Sequence, residues 1–164
     1  MNPQISPPQH PLLALIPESF ARLTGKPLLS PLPTSLDVPN TRNDLAAQLW
    51  FAPQVIVAHG TEADPIFFYG NRLALARFAM DFASFTRLPS RFSAEPLARE
   101  ERARLLARVS RDGFIDDYAG IRIAATGQRF RIEQATVWNL IDAQGQCHGQ
   151  AATFARWREV EEGL

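Results

Sequence analysis

The spacing of apolar and polar positions divides the chain into a proline-rich beginning, a helical middle and a β-rich end. Nine of the 13 prolines lie in residues 1–39. Proline lacks the backbone donor and disfavours helix in the residue before it, so this segment is predicted to be mostly irregular, with one short helix over residues 17–23. Its many apolar residues predict that it packs on the rest of the domain or on a partner subunit.

The middle of the chain alternates helix and strand signals. Residues 40–51 read as a helix that Asn40 or Asn43 can cap. Two short strands follow at residues 54–60 and 65–71, separated by a polar turn. The order up to this point is therefore helix, strand, strand.

A helical region then leads to the second half. Asn71, at the end of the second strand, is expected to cap the helix that follows it. Residues 97–112 have the clearest helical pattern, which Ser93 is predicted to start and Gly113 to stop.

Three strands separated only by short turns follow Gly113, and such strands must pair antiparallel. This order predicts an α+β fold: a PAS-like five-stranded antiparallel sheet with helices over one face, plus a Pro-rich N-terminal extension. The expected division is an extension over residues 1–39 and a domain over residues 40–160. The last strand is apolar on both sides, so the N-terminal segment or a second subunit must cover the second face.

Several polar residues fall where strand alternation predicts a buried face. Even positions from 130 to 140 read Phe, Ile, Gln, Thr, Trp and Leu, which puts two polar groups in an apolar row. These groups either find partners inside an ordinary core or line a pocket, and both readings remain open. The residues assigned to the inner surface, and therefore candidates for ligand binding, are Tyr118, Gln134, Thr136, Trp138 and Gln150.

Arg91 and Glu95 flank the start of the long helix and complete the set of candidate ligand-binding residues. One hypothesis is a polar clamp for a ligand. The alternative is that Arg91 pairs with Glu95 or caps a carbonyl, and so holds the loop. Either arrangement predicts hydrogen-bonded side chains, since buried polar groups need partners.

Composition argues against several classes of function. Acidic and basic residues balance at 17 each, so the basic surface typical of nucleic-acid binding is not expected. Cys147 is the only cysteine, which rules out an intrachain disulfide and a cysteine-based metal cluster. No apolar run approaches a signal-peptide core or the ~20 residues of a membrane span, so we expect a cytoplasmic protein without membrane contact.

No catalytic pair is marked by spacing, and we predict neither catalytic nor metal-binding residues. Asp116 and Asp117 are adjacent, so on a strand their side chains point to opposite faces, and the same holds for Cys147 and His148. Neither pair fits a zinc site or a nucleophile with its base.

Several motifs in order carry a resemblance to a known family. The joint "IFFYGNRLALARF" is similar to the strand-to-helix joint of PAS domains. The stretches "SRFSAEP", "GFIDDYAGIRI", "ATVWNLID" and "GQAATFARW" resemble the MEKHLA domain, a PAS-related family. We identify a stand-alone bacterial type, because no leucine zipper or homeodomain is present. The resemblance implies a PAS-like fold and a sensor-like role, without a known ligand.

The same resemblance leaves the cofactor unknown. A PAS-like haem sensor usually has an axial histidine in the pocket helices, whereas the histidines here are His10, His59 and His148. Covalent flavin photochemistry would need a cysteine in the stretch "SRFSAEP", and none is there. Non-covalent flavin binding stays open.

The expected function is that of a non-enzymatic, PAS-like sensory or regulatory domain that binds a small organic ligand or a protein partner. We expect a homodimer or a complex with another protein, and an effect on that interface through the N-terminal segment. One alternative is a ligand-free interaction module, and another is a small enzyme of unknown reaction. In the interaction module, aromatic residues would fill the core: Phe78, Phe82, Phe85, Phe92, Phe114 and Trp138.

Overall fold

The computed structural model describes residues 7–29, 44–94 and 96–160, and for residues 96–99 and 102 only the backbone is described. Five α-helices and six strands are present in these ranges, with a short 3₁₀ helix at Ser90–Ser93. In chain order the elements are α1 (Leu15–Thr24), α2 (Leu45–Trp50), β1 (Val55–His59), β2 (Phe67–Gly70), α3 (Arg72–Phe78), α4 (Phe82–Phe85), α5 (Pro96–Asp112), β3 (Phe114–Ile123), β4 (Arg129–Ile141), β5 (Cys147–Phe154) and β6 (Arg156–Val160).

The strands form one antiparallel sheet in the order β2-β1-β5-β4-β3, and β6 pairs with the first part of β4. Thr136 pairs with Thr153 of β5, and Glu133 pairs with Arg156 of β6. Both pairings have the same register, so β6 continues β5 after a break at Ala155. The predicted last strand is thus interrupted: its first part, β5, lies between β1 and β4, and its second part, β6, pairs with β4. The α+β prediction is confirmed.

Helix ends follow local capping chemistry. Asp44 caps α2 by accepting a hydrogen bond from the Ala47 amide at 3.2 Å, while the predicted caps Asn40 and Asn43 lie outside the described residues. The helix predicted over residues 97–112 is α5. Ser93 does not lie at its start, because it belongs to the 3₁₀ helix and its hydroxyl donates to the Ser90 carbonyl at 2.6 Å.

Asn71 caps α3 as predicted, and its buried amide also joins three elements. Its Oδ1 accepts from the amides of Ala74 at 3.0 Å and Ile56 at 3.2 Å. Its Nδ2 donates to the carbonyls of Leu49 at 3.0 Å and Gln54 at 2.9 Å. Every polar atom of this side chain is satisfied, so burial of the amide is not penalised.

The sheet separates two hydrophobic cores. The inner core lies between the sheet and α3 to α5, and the outer core lies between the sheet and the segment containing α1 and α2. Inner-core residues include Val55, Phe67, Phe78, Phe85, Phe130 and Phe154, and outer-core residues include Leu13, Ile16, Leu49, Ile56, Trp138 and Leu140. Of the two covers predicted for the second face, the described part of the N-terminal segment supplies one, through Leu13, Ile16 and Phe20. Phe92 was wrongly assigned to the core, because it is 47% exposed.

Helix α1 is attached to β4 by hydrogen bonds as well as by apolar packing. The Trp138 indole donates to the Ile16 carbonyl at 3.1 Å, and the Ile141 amide donates to the Ser19 hydroxyl at 2.8 Å. Arg22 donates to the Ile141 carbonyl at 2.7 Å. The Phe20 ring meets the Trp138 indole edge-on, with centroids 4.9 Å apart. Helix α1 is therefore held against the sheet, while the boundary between residues 39 and 40 lies outside the described residues and stays a prediction.

A β-bulge in the middle of β4 reverses which residues face which core. Gln134 has φ +52° and is exposed, and its strand gains one residue relative to β3 at this point. Before the bulge, Ile132 belongs to the inner core, and after it Ala135 does. Even positions beyond Gln134 therefore point outward, which corrects the inner-surface assignment of Gln134, Thr136 and Trp138.

None of the helices in the described parts of the chain combines the length and the apolarity that a membrane span requires.

Candidate functional site

A cavity of about 70 Å³ lies between the inner face of the sheet and the helices. Apolar side chains from every surrounding element make up most of its wall, and a few polar groups converge on it. The apolar lining includes Val57, Phe67, Phe78, Leu105, Leu106, Ile132, Val137, Ala152 and Phe154, and the polar lining consists of His59, Ser90, Ser93, Tyr118, Arg122 and Gln150. A mostly apolar wall with a few polar groups is the usual composition of a small-molecule site.

Tyr118 and Arg122 are the central polar pair of the cavity. Arg122 donates from Nη2 to the Tyr118 hydroxyl at 2.9 Å, and its guanidinium lies 5.2 Å from the centre of the Tyr118 ring. Both residues stand on the inner face of β3 because they are four positions apart. Gly120 lies between them, and a Cβ there would clash with the Tyr118 hydroxyl, so the glycine makes room for this pair.

A second polar group in the wall connects the sheet to α5. Gln150 donates from Nε2 to Asn139 Oδ1 at 2.9 Å. Asn139 in turn donates from Nδ2 to the Val109 carbonyl at 3.0 Å, near the end of α5. The side-chain amides of Gln150 and Asn139 thus link the sheet to α5, and they hold α5 over the cavity.

An open groove adjoins the cavity at the start of β5. It has a volume of about 410 Å³ and shares Leu106, His59 and Gln150 with the cavity wall. Gly149 permits this geometry, since a Cβ there would clash with the His59 carbonyl of the neighbouring strand. His59 and Gln150 therefore stand between the enclosed space and the more open one.

The predicted ligand-binding residues separate into three groups. Tyr118 and Gln150 line the cavity as expected. Exposed Gln134, half-buried Thr136 and buried Trp138 are not part of its wall.

The third group flanks α5. Arg91 pairs with Asp64, its Nε lying 3.0 Å from Oδ1 and 3.1 Å from Oδ2. Its guanidinium also stacks on the Phe92 ring at 4.1 Å. These contacts favour the interpretation that Arg91 holds its loop, with Asp64 as the partner. The predicted pairing with Glu95 lies outside the described residues.

Sequence reasoning missed Arg122 and Asn139. The sequence pattern could have assigned Arg122 to the cavity wall, because positions 118, 120 and 122 of an extended strand share a face and Tyr118 was already assigned to the pocket. No sequence pattern could have assigned Asn139 there, since its position on the inner face follows from the bulge at Gln134.

Other titratable groups offer little for chemistry. In the parts of the chain that the structure describes, no group of three or more His, Cys, Asp or Glu side chains is arranged to hold a metal. Asp142 and His148 form a pair in which Oδ2 and Nε2 are 2.8 Å apart. The hydrogen bond from His148, followed by that from the Gln146 amide, lowers the pKa of the Asp142 carboxyl. Cys147 is exposed as a free thiol.

The MEKHLA domain family matches residues 10–159. This chain belongs to the MEKHLA domain family. Its relative in Arabidopsis thaliana, the homeobox-leucine zipper protein ATHB-9, is 25% identical over 118 residues, which are 71% of this chain and 14% of that protein. The chain therefore spans only a small part of that relative, and the assignment to a stand-alone bacterial type stays a prediction.

Solved structures with low sequence identity share the fold of this MEKHLA domain. A PAS domain from Colwellia psychrerythraea is 13% identical, with a TM-score of 0.60 over 70% of this chain and 92% of that one. The light-state dimer of the fungal blue-light photoreceptor Vivid is 12% identical, with a TM-score of 0.58 over 98% of this chain and 100% of that one. A light-oxygen-voltage domain from work on a flavin analogue is 19% identical, with a TM-score of 0.54 over 72% and 85% of the two chains. These similarities establish a PAS-like fold.

Proposed function

We propose that this MEKHLA domain is a non-enzymatic sensory or regulatory module whose inner cavity binds a small organic ligand. The observation that carries the proposal is the cavity itself, in which Tyr118 and Arg122 converge among apolar walls. The PAS-like fold supports it, because structures of that fold include a photoreceptor and a domain studied with a flavin analogue.

The N-terminal segment is proposed to transmit the effect of ligand binding to a partner. Residues of α1 contact β4 on the opposite side of the sheet from the cavity, through Ile16 and Ser19. Strand β4 also supplies Ile132 and Val137 to the cavity wall. A ligand that shifts this strand would alter the docking of α1, and through it the interface with a second copy or another protein.

A second candidate is a ligand-free interaction module, and the size of the cavity favours it. Ligand pockets usually measure about 300–1,000 Å³, and an engineered cavity of about 150 Å³ is large enough to bind benzene. The 70 Å³ observed here is smaller than either. A drug-sized ligand would have to extend into the adjoining groove of about 410 Å³.

Native mass spectrometry of freshly purified protein, with an absorbance spectrum of the same sample, tests the first proposal. We expect an extra mass that is lost on denaturation. The Ala152→Leu variant, which adds three carbons to the cavity wall, should lose that mass, whereas Ala143→Leu in an exposed turn should keep it. A bare wild-type chain whose association equals that of Ala152→Leu would support the interaction module instead.

A further inference from the structure

Arg122 is a partly buried cation for which the described residues supply no counter-ion. Its guanidinium donates to the neutral Tyr118 hydroxyl, and no carboxylate within residues 7–29, 44–94 and 96–160 forms an ion pair with it. Arg77 is the useful contrast: it is also mostly buried, but it pairs with Glu159 at 2.6 Å. A guanidinium that is partly removed from water gains from an anion beside it, and among the described residues no carboxylate takes that place at Arg122.

The surroundings of Arg122 strengthen this reading. Burial lowers the pKa of its guanidinium, and contact with Tyr118 only partly offsets this. Arginine nonetheless stays protonated at neutral pH in proteins. A ligand that brings a negative charge would therefore meet a protonated guanidinium beside the Tyr118 hydroxyl in the cavity wall.

The donors around Arg122 match a carboxylate. The guanidinium presents up to five N–H donors in a planar fork that pairs with the two oxygens of a carboxylate. Tyr118 accepts from Arg122, so its own hydroxyl proton is available to a second acceptor. Its hydroxyl and the guanidinium both belong to cavity-lining residues.

We infer that the cavity binds a small aliphatic monocarboxylate, with its carboxylate on Arg122 and Tyr118 and its short carbon chain against Ile132, Val137 and Phe154. The inference rests on the proposed function, since it names the chemical class of the ligand for the same cavity. The volume sets the size: 70 Å³ is roughly half of the about 150 Å³ that holds the six carbons of benzene, which favours the shortest acids, such as acetate and propionate.

The decisive experiment is an NMR titration of the full chain with sodium propionate, at constant ionic strength, that follows the Arg122 Nε–H resonance in the wild type and the Ile132 methyl resonances in the wild type and every variant. Propionamide, which has the same shape without the charge, is the matched ligand, and inorganic phosphate tests for a general anion site. We expect saturable shifts with propionate, at least ten-fold weaker binding of propionamide, and no specific response to phosphate.

Variants assign the binding to the named pair. Arg122→Gln should lower the affinity for propionate at least ten-fold, and Tyr118→Phe should lower it two- to five-fold. Arg77→Gln, which removes an arginine that already has its carboxylate, should bind propionate like the wild type. If Arg122→Gln does not fold, Arg122→Lys keeps the charge without the fork and should still weaken binding about ten-fold.

Each result separates this inference from the function on which it rests. Equal binding of propionamide, stronger binding of phosphate, or unchanged affinity in Arg122→Gln would overturn the carboxylate inference. A neutral molecule that co-purifies with the wild type and is lost from Ala152→Leu would overturn it too, while leaving ligand binding in place. A cavity that takes up none of these molecules, together with a bare chain in mass spectrometry, would overturn both.

Discussion

The two faces of one sheet are built for different tasks. On the outer face, Ile16, Leu49, Trp138 and Leu140 are almost completely buried, and polar groups there form hydrogen bonds that attach α1 to β4. On the inner face, a comparable aromatic core surrounds a cavity into which Arg122 and other polar side chains project. The outer face therefore keeps large side chains fully buried, and the inner face keeps space and charge at a cost in stability.

This difference depends on a row of irregular backbone positions that lie side by side in neighbouring strands of the sheet. Gln134 forms the bulge in β4, the register of β3 shifts near Asp116 and Asp117, and the strand on the other side of β4 breaks at Ala155, between β5 and β6. A further shift of register lies between Asn139 and Ile141, where β4 pairs with β5. The row turns Trp138 toward α1 and Val137 toward the cavity, so one strand serves both faces.

The largest effect should come from a matched pair of truncations on opposite faces of β4. Leu140→Ala removes a fully buried outer side chain and should lower the free energy of unfolding by about 4 kcal/mol. Ile132→Ala should lower it by about 2 kcal/mol, because Ile132 already borders a cavity and makes fewer contacts. Urea unfolding of both variants measures the difference, and equal losses would contradict a looser inner face.

The indole of Trp138 should matter through its hydrogen bond. Trp138→Phe is expected to lower the free energy of unfolding by about 2–3 kcal/mol, since it shrinks the ring and leaves the Ile16 carbonyl without its donor. The control is Trp157→Phe, at a half-buried position in β6, which should lower the free energy of unfolding by less than about 1.5 kcal/mol. Limited proteolysis should cleave near α1 faster in the first variant only.

One substitution at the bulge is expected to stabilise the protein. Gln134 adopts φ +52°, a conformation that glycine reaches without strain, so Gln134→Gly should raise the free energy of unfolding by about 1 kcal/mol. Gln134→Val should lower it by about 1–2 kcal/mol, because β-branched residues tolerate this conformation poorly. Glu133→Gly, in the adjacent extended position, should lower it by roughly 0.5–1 kcal/mol. A destabilised Gln134→Gly protein would argue against the bulge.

The smallest effect concerns pH at the turn between β4 and β5. The folded-state pKa of Asp142 lies below its ordinary value of about 4, so this carboxylate stabilises the fold above that pH and stops doing so as pH falls through the lowered pKa. Asp142→Asn should therefore be slightly less stable than the wild type at pH 6, and the difference should shrink toward pH 3. Thermal unfolding across this range measures it, with His148→Gln expected to behave similarly.

The candidate site was only partly predictable. Tyr118 and Gln150 line the cavity, on the face of the sheet to which the sequence assigned them, and their part in ligand binding stays a prediction. Trp138 and Thr136 were assigned to the wrong face because one additional residue in β4 reverses all later positions. Phe92 was assigned to the core from its composition alone, although its 3₁₀ helix leaves it at the surface beside Arg91.

By itself, the sequence determined the order of helices and strands, the capping role of Asn71, the antiparallel pairing of the last strands and the need to cover a second face of the sheet. These features follow from periodicity, capping and turn length, which act over a few neighbouring residues. The tertiary structure alone decided which side chains meet in the cavity, that α1 covers Trp138, and that Arg122 stands beside Tyr118 without a carboxylate partner in the described residues. The reason is physical: a positive φ at Gln134 depends on packing across the whole sheet, and no local pattern encodes it.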